Sequence, residues 1–276
     1  MNCTRRSLLL VLVIVSLAPI AARAITYGFV DSSNTYSNVG AFIVYRSDGQ
    51  IFPICSGTLI APGVFLTAGH CTDYFNETLQ PLGFTAFVSF DASIPFGDLT
   101  SKKTQLIAVQ DVITNPGYSQ AQSDSGDLGV LRISGRASRG ITPARLPALG
   151  LLDDLAAQNG LQGATFTPVG YGVQNRLVGG GPPLFQDVNP IPRMYAFSSF
   201  NALNGGYLRL SQNPSTGNGG TCFGDSGGPN FLTLGGKLIL VAATITGDSV
   251  CRSTNVVYRL DTASARAFLG SYVALP

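Results

Sequence analysis

The chain has no tryptophan and only one histidine, His70, among its 276 residues. Chemistry that needs two imidazoles is excluded, and no Cys-x-x-Cys spacing offers a thiolate substitute, so no metal site and no cofactor are expected. Charge is scarce as well. Asp, Glu, Lys and Arg make up 12% of the residues, and the net charge is +2. No basic run follows the N-terminus, so nucleic acid is not expected as a partner. The first three quarters of the chain show no helical period of useful length, which argues against an α-helical architecture.

Apolar residues, by contrast, are plentiful. They form 45% of the chain, enough for a sizeable core and too much for a disordered polymer. The N-terminus reads as a targeting segment. Arg5 and Arg6 precede an apolar run from Leu8 to Leu17, and Ala22-Arg23-Ala24 supplies small residues for cleavage. The run is too short to span a bilayer well. Residues 1–24 are expected to be a removed signal peptide and 25–276 the mature domain, secreted and extracellular, with no membrane association after removal. Cleavage there removes Cys3 and leaves Cys55, Cys71, Cys222 and Cys251. An even count in an exported chain reads as two disulfides. Three pairings are open; the local one, Cys55 with Cys71 and Cys222 with Cys251, is the simplest.

The mature part reads as short strands between turn signals. Candidates lie at Val39–Tyr45, then 51–54, 57–60, 85–90, 105–113, 128–133, 165–169, 207–210, 237–246 and 255–260. Two glycine-rich stretches, 178–183 and 213–220, read as surface loops. Residues 153–159 suggest a turn or two of helix, and 262–269 a C-terminal helix with Asp261 as its N-cap. Strands so short and closely spaced suggest an antiparallel sandwich or barrel.

Three segments carry chemistry: Thr67-Ala-Gly-His-Cys71, Asp127-Leu-Gly-Val130 and Gly224-Asp-Ser-Gly-Gly-Pro229. A serine hydroxyl is a poor nucleophile unless a base takes its proton, and the base needs a third group to fix its tautomer. Histidine suits the base, because its pKa lies near neutrality. If the mechanism uses histidine, it uses His70. Asp124 and Asp127 both stand near enough in sequence to be the third group; Asp127 is favoured because an apolar strand begins directly after it.

These segments resemble the motifs of chymotrypsin-like (trypsin-family) serine proteases, in the same order of His, Asp and Ser. The hexapeptide around Ser226 matches the family pattern without change. Thr167-Pro-Val-Gly-Tyr-Gly172 resembles the family's Val-Thr-Gly-Trp-Gly strand, and Val257-Tyr258 its late Val-Tyr pair. The resemblance implies an all-β fold of two packed six-stranded antiparallel β-barrels with a C-terminal helix and the active site between them. It implies a triad of His70, Asp127 and Ser226, with the N–H groups of Gly224 and Ser226 as the oxyanion hole. It places Gly220 at the floor of the substrate pocket and Thr246, Gly247 and Val256 in its walls. Without a carboxylate at 220, small or medium apolar side chains are expected there. The motif Ile245-Thr246-Gly247 departs from the family's Ser-Trp-Gly. The new N-terminus, Ile25-Thr-Tyr-Gly28, resembles the family's Ile-Val-Gly-Gly start, which implies an ion pair between the Ile25 amine and Asp225. Protein or peptide substrates and protein inhibitors are the expected partners of a monomer. The competing expectation is a homologue without catalysis that serves as a binding module.

Overall fold

In a computed structural model of the protein, the described residues are 25–98, 104–119, 121–173, 175–177, 184–186 and 188–276. The expected signal peptide and the 178–183 stretch lie outside them. Six strands build the first barrel: β1 (Val39–Tyr45), β2 (Gln50–Ala61), β3 (Val64–Thr67), β4 (Thr85–Ser89), β5 (Ile107–Thr114) and β6 (Gly129–Ile133). Six more build the second: β7 (Thr165–Gly170), β8 (Ser198–Leu203), β9 (Tyr207–Ser211), β10 (Pro229–Leu234), β11 (Lys237–Gly247) and β12 (Thr254–Arg259). The pairings are antiparallel.

Both barrels follow one circuit. The first runs β1-β2-β3-β6-β5-β4 and closes on β1; the second runs β7-β8-β9-β12-β11-β10 and closes on β7. Closure leaves no unpaired edge within either ring. Phe42, Leu59, Phe65, Val88 and Leu131 fill the first barrel. Phe166, Leu208, Leu210, Leu232, Val241 and Val257 fill the second. A third cluster, including Val39, Leu66, Leu128, Val169, Tyr171, Phe231 and Tyr258, draws from both.

The expected segments 51–54 and 57–60 are one strand, β2. Pro53 is accommodated because the β1–β2 register shifts between Phe42 and Ile43, the latter opposite Pro53. Strands β8 and β10 went unforeseen, since Ser-Ser-Phe-Asn-Ala-Leu and Pro-Asn-Phe-Leu-Thr-Leu mix polar residues and an opening proline into short runs. Among the described residues three α-helices flank the barrels: α1 (Gly69–Tyr74), α2 (Leu151–Ala157) and α3 (Ala263–Leu269). Helix α1 is too short to show a period, and α2 begins two residues before the expected 153–159. Among the described residues no helix is long and apolar enough to cross a membrane.

Two expectations need correction. The N-cap of α3 is Thr262, whose hydroxyl accepts from Ala265 N, and not Asp261. Asp261 is fully buried, paired with Arg259 and accepting Leu152 N at 2.7 Å. The stretch 213–220 is a surface loop only in its first part. Asn218, Gly219 and Gly220 are buried, because Gly220 exchanges backbone hydrogen bonds with Thr26 at 2.9 and 3.0 Å.

Candidate active site

Strand β3 delivers its chain into α1, so His70 stands at the start of that helix. The Cys55–Cys71 disulfide ties the helix to β2 beside it. Asp127 stands two residues before β6, which pairs with β3, so the two strands bring imidazole and carboxylate together. His70 Nδ1 lies 2.9 Å from Asp127 Oδ2 and 3.2 Å from Oδ1, and the His70 backbone N–H donates to Oδ1 at 2.8 Å. The Asp127 side chain is nearly buried and the imidazole one-third exposed. A carboxylate so placed holds the Nδ1–H tautomer and leaves Nε2 for other work. Asp124, the competing acid, is engaged elsewhere: it accepts from Tyr258, Ser264 and Gly126 N.

Ser226 arrives from the second barrel, just before β10. Its carbonyl accepts from Ser56 N of β2 at 2.9 Å, which docks the serine turn onto the first barrel. His70 and Ser226 line one cleft of about 370 Å³, without a hydrogen bond between their side chains in this structure. Such contacts are often long before substrate is bound. Gly224 and Gly227 have φ of +94° and +79°, a region that side chains disfavour. A Cβ at 227 would also lie 2.2 Å from Thr67 Oγ1. This backbone leaves the N–H groups of Gly224 and Ser226 without an acceptor among the described residues. Ser56, which no sequence motif marks, steadies the turn further: its hydroxyl donates to Gly224 O and accepts from Tyr171 N, both at 3.0 Å.

Asp225 is fully buried. Its carboxylate accepts from Cys222 N and Gly172 N, each at 2.8 Å, and no side-chain cation reaches it among the described residues. Desolvation pushes its pKa up to about 7 against those two hydrogen bonds. Ile25 is also fully buried and packs with Met194, which pairs with Gly170; a Cβ on Gly170 would lie 2.2 Å from Asp225 Oδ1.

Of the expected pocket residues, Thr246 and Gly247 line the cleft with His70 and Ser226. Val256 does not. Strand alternation turns Asn255 and Val257 into the barrel and Val256 to the other face, half-buried. Gly220, expected at the floor, does not line the cleft either but adjoins its lining residue Thr221. Sequence reasoning missed Asp248, which lines the cleft in a loop without a motif. Against a desolvation that raises it, hydrogen bonds from the N–H groups of Arg252, Thr254 and Ser253 and from Gln212 hold Asp248 below the usual carboxylate range. The second disulfide, Cys222–Cys251, joins the serine turn to the far wall of the cleft. The sole grouping of potential metal ligands among the described residues is Cys55, His70 and Cys71, and both cysteines are consumed by the first disulfide.

The trypsin family model matches residues 29–266. The chain belongs to the trypsin family. It is 28% identical to human (Homo sapiens) chymotrypsin-like elastase family member 1 over 199 residues, 70% of each chain. It is 29% identical to rat (Rattus norvegicus) granzyme-like protein 1 over 134 residues, 48% of each. As a trypsin-family member the chain is a serine endopeptidase, a hydrolase of peptide bonds whose substrates are proteins or peptides.

Proposed function

We propose that this trypsin-family chain is a secreted endopeptidase in which Ser226 attacks the substrate carbonyl, His70 moves the proton and Asp127 orients His70. The observation that carries the reading is the two-point contact of Asp127 on His70, through Nδ1 and the backbone N–H, in a cleft shared with Ser226. In acylation, Ser226 Oγ bonds to the carbonyl carbon while its proton passes to His70 Nε2. His70 then protonates the leaving amine as the scissile C–N bond breaks. Water repeats the sequence to release the acid, and each proton returns through the same nitrogen. The unpartnered N–H groups of Gly224 and Ser226 receive the charge that grows on the carbonyl oxygen.

Secretion rests on the 1–24 segment and on two disulfides, which persist in oxidising compartments. Small or medium apolar side chains are the proposed preference before the scissile bond, supported by Gly220 having no charge to offer. Purified Ser226→Ala is expected to stay folded, to lose kcat by several orders of magnitude and to escape a phosphonylating reagent that labels the wild type at Ser226. Wild-type activity in that variant would refute the assignment. A wild type that binds peptides but neither cleaves them nor reacts with the reagent would instead be a binding module.

A further inference from the structure

Gln212 directly follows β9 and is fully buried. Its backbone N–H donates to Ser253 O at 2.9 Å. Its Nε2 donates to Asp248 Oδ1 at 3.0 Å and reaches Thr254 O at 3.4 Å. Its Oε1 has no hydrogen-bond partner among the described residues. An orphaned buried acceptor costs about 1–3 kcal/mol, so this carboxamide is not placed there for its own hydrogen bonding.

Its position gives a reason. A Cβ added to Gly220 would lie 2.1 Å from Gln212 Oε1 and 2.4 Å from Gln212 Cβ; one on Gly247 would lie 3.8 Å from Nε2. Gly220 adjoins Thr221 on one wall of the cleft, while Gly247 and Asp248 form the other. The Gln212 side chain thus crosses beneath the cleft from wall to wall. It occupies the space into which a side chain at 220 would point, where a long substrate side chain would also end.

We propose that Gln212 is the depth-limiting residue of the substrate pocket: its carboxamide fills the floor beneath Gly220 and restricts cleavage to small side chains before the scissile bond. The inference rests on the endopeptidase reading and names the group that sets its specificity. Volume does the excluding, so a side chain of similar bulk without the amide keeps the pocket shallow. Lys and Arg are excluded by the same plug.

The test is a peptide library profiled with wild type, Gln212→Ala and Gln212→Met, each first checked for a cooperative melting transition. Wild type is expected to favour Ala-sized residues before the cut. Gln212→Ala should raise kcat/KM for Leu or Phe relative to Ala by roughly tenfold or more, since each methylene admitted is worth about that much. Gln212→Met should keep the wild-type ranking. An unchanged ranking in Gln212→Ala, or equal broadening in Gln212→Met, overturns the proposal. Labelling of the wild type at Ser226 reports separately on the enzyme reading, so the two can fail independently.

Discussion

At the scale of single residues, Asp225 poses the sharpest energetic problem. A fully buried carboxylate with two N–H donors and no cation among the described residues is destabilised as an anion, and its pKa rises to about 7 from an ordinary 3.8. The folded state therefore holds this proton more tightly than the unfolded chain. Its contribution to stability is full below about pH 4 and is lost as pH rises towards 7, a penalty on the order of 4 kcal/mol once the carboxylate is ionised. With residues still attached before Ile25, the backbone nitrogen there is an uncharged amide and offers no relief. Denaturant midpoints measured across pH 4–8 on that form should fall with pH, and Asp225→Asn should flatten the slope. A slope that survives the substitution would place the titration in another group. The residue scale is also where the sequence was most legible. The motifs marked His70, Asp127 and Ser226, and the fold sets His70 against Asp127 and in one cleft with Ser226, because each belongs to a segment whose neighbours fix its backbone. Gln212, Ser56 and Asp248 were illegible because their roles come from what the fold brings beside them.

Among the elements, strands with β-branched or aromatic residues at close spacing were recognised to within a residue or two, as β1, β4, β7, β9 and β11 show. Strands β8 and β10 were not, since burial in a closed ring and not their own propensity makes them strands. Asp261 was misread for a related reason: its local sequence fits a cap, yet Arg259 and the start of α2 claim its carboxylate. The two barrels were expected through the family resemblance alone, because no residue pattern recurs between them. Where the barrels meet, Arg193 is fully buried. It pairs with Asp31 at 2.9 Å and donates to Val39 O and Phe90 O of the first barrel's side, to Tyr171 Oη and to Asn34. Arg193→Met leaves Asp31 buried without its cation and four acceptors short of a donor. The expected cost is roughly 3–5 kcal/mol, read from the denaturant midpoint. A loss under 1 kcal/mol would show that the network is not a clamp.

For the whole molecule, we propose that the start of the mature chain governs activity. An Ile25 ammonium released by cleavage after Ala24 would give Asp225 its missing cation. Pairing raises the amine's pKa above its free value of roughly 8. The stabilisation is therefore present below that value and lost as pH climbs through the raised one. Activity should decline on the alkaline side accordingly. Protein carrying one extra residue before Ile25 should lose most of its activity while keeping the His70–Asp127 contact. Full activity of the extended form, or N-terminal sequencing of active enzyme that begins elsewhere, would refute this. The clamp at Arg193 has a consequence of another kind. A peptidase works among copies of itself, and any strand that peels loose becomes a meal for its neighbours. Because Arg193, whose neighbour Met194 pairs with β7 of the second barrel, holds two carbonyls of the first, neither barrel can open without straining the other. Self-digestion then waits on the rare opening of the entire chain and not on the fraying of half of it.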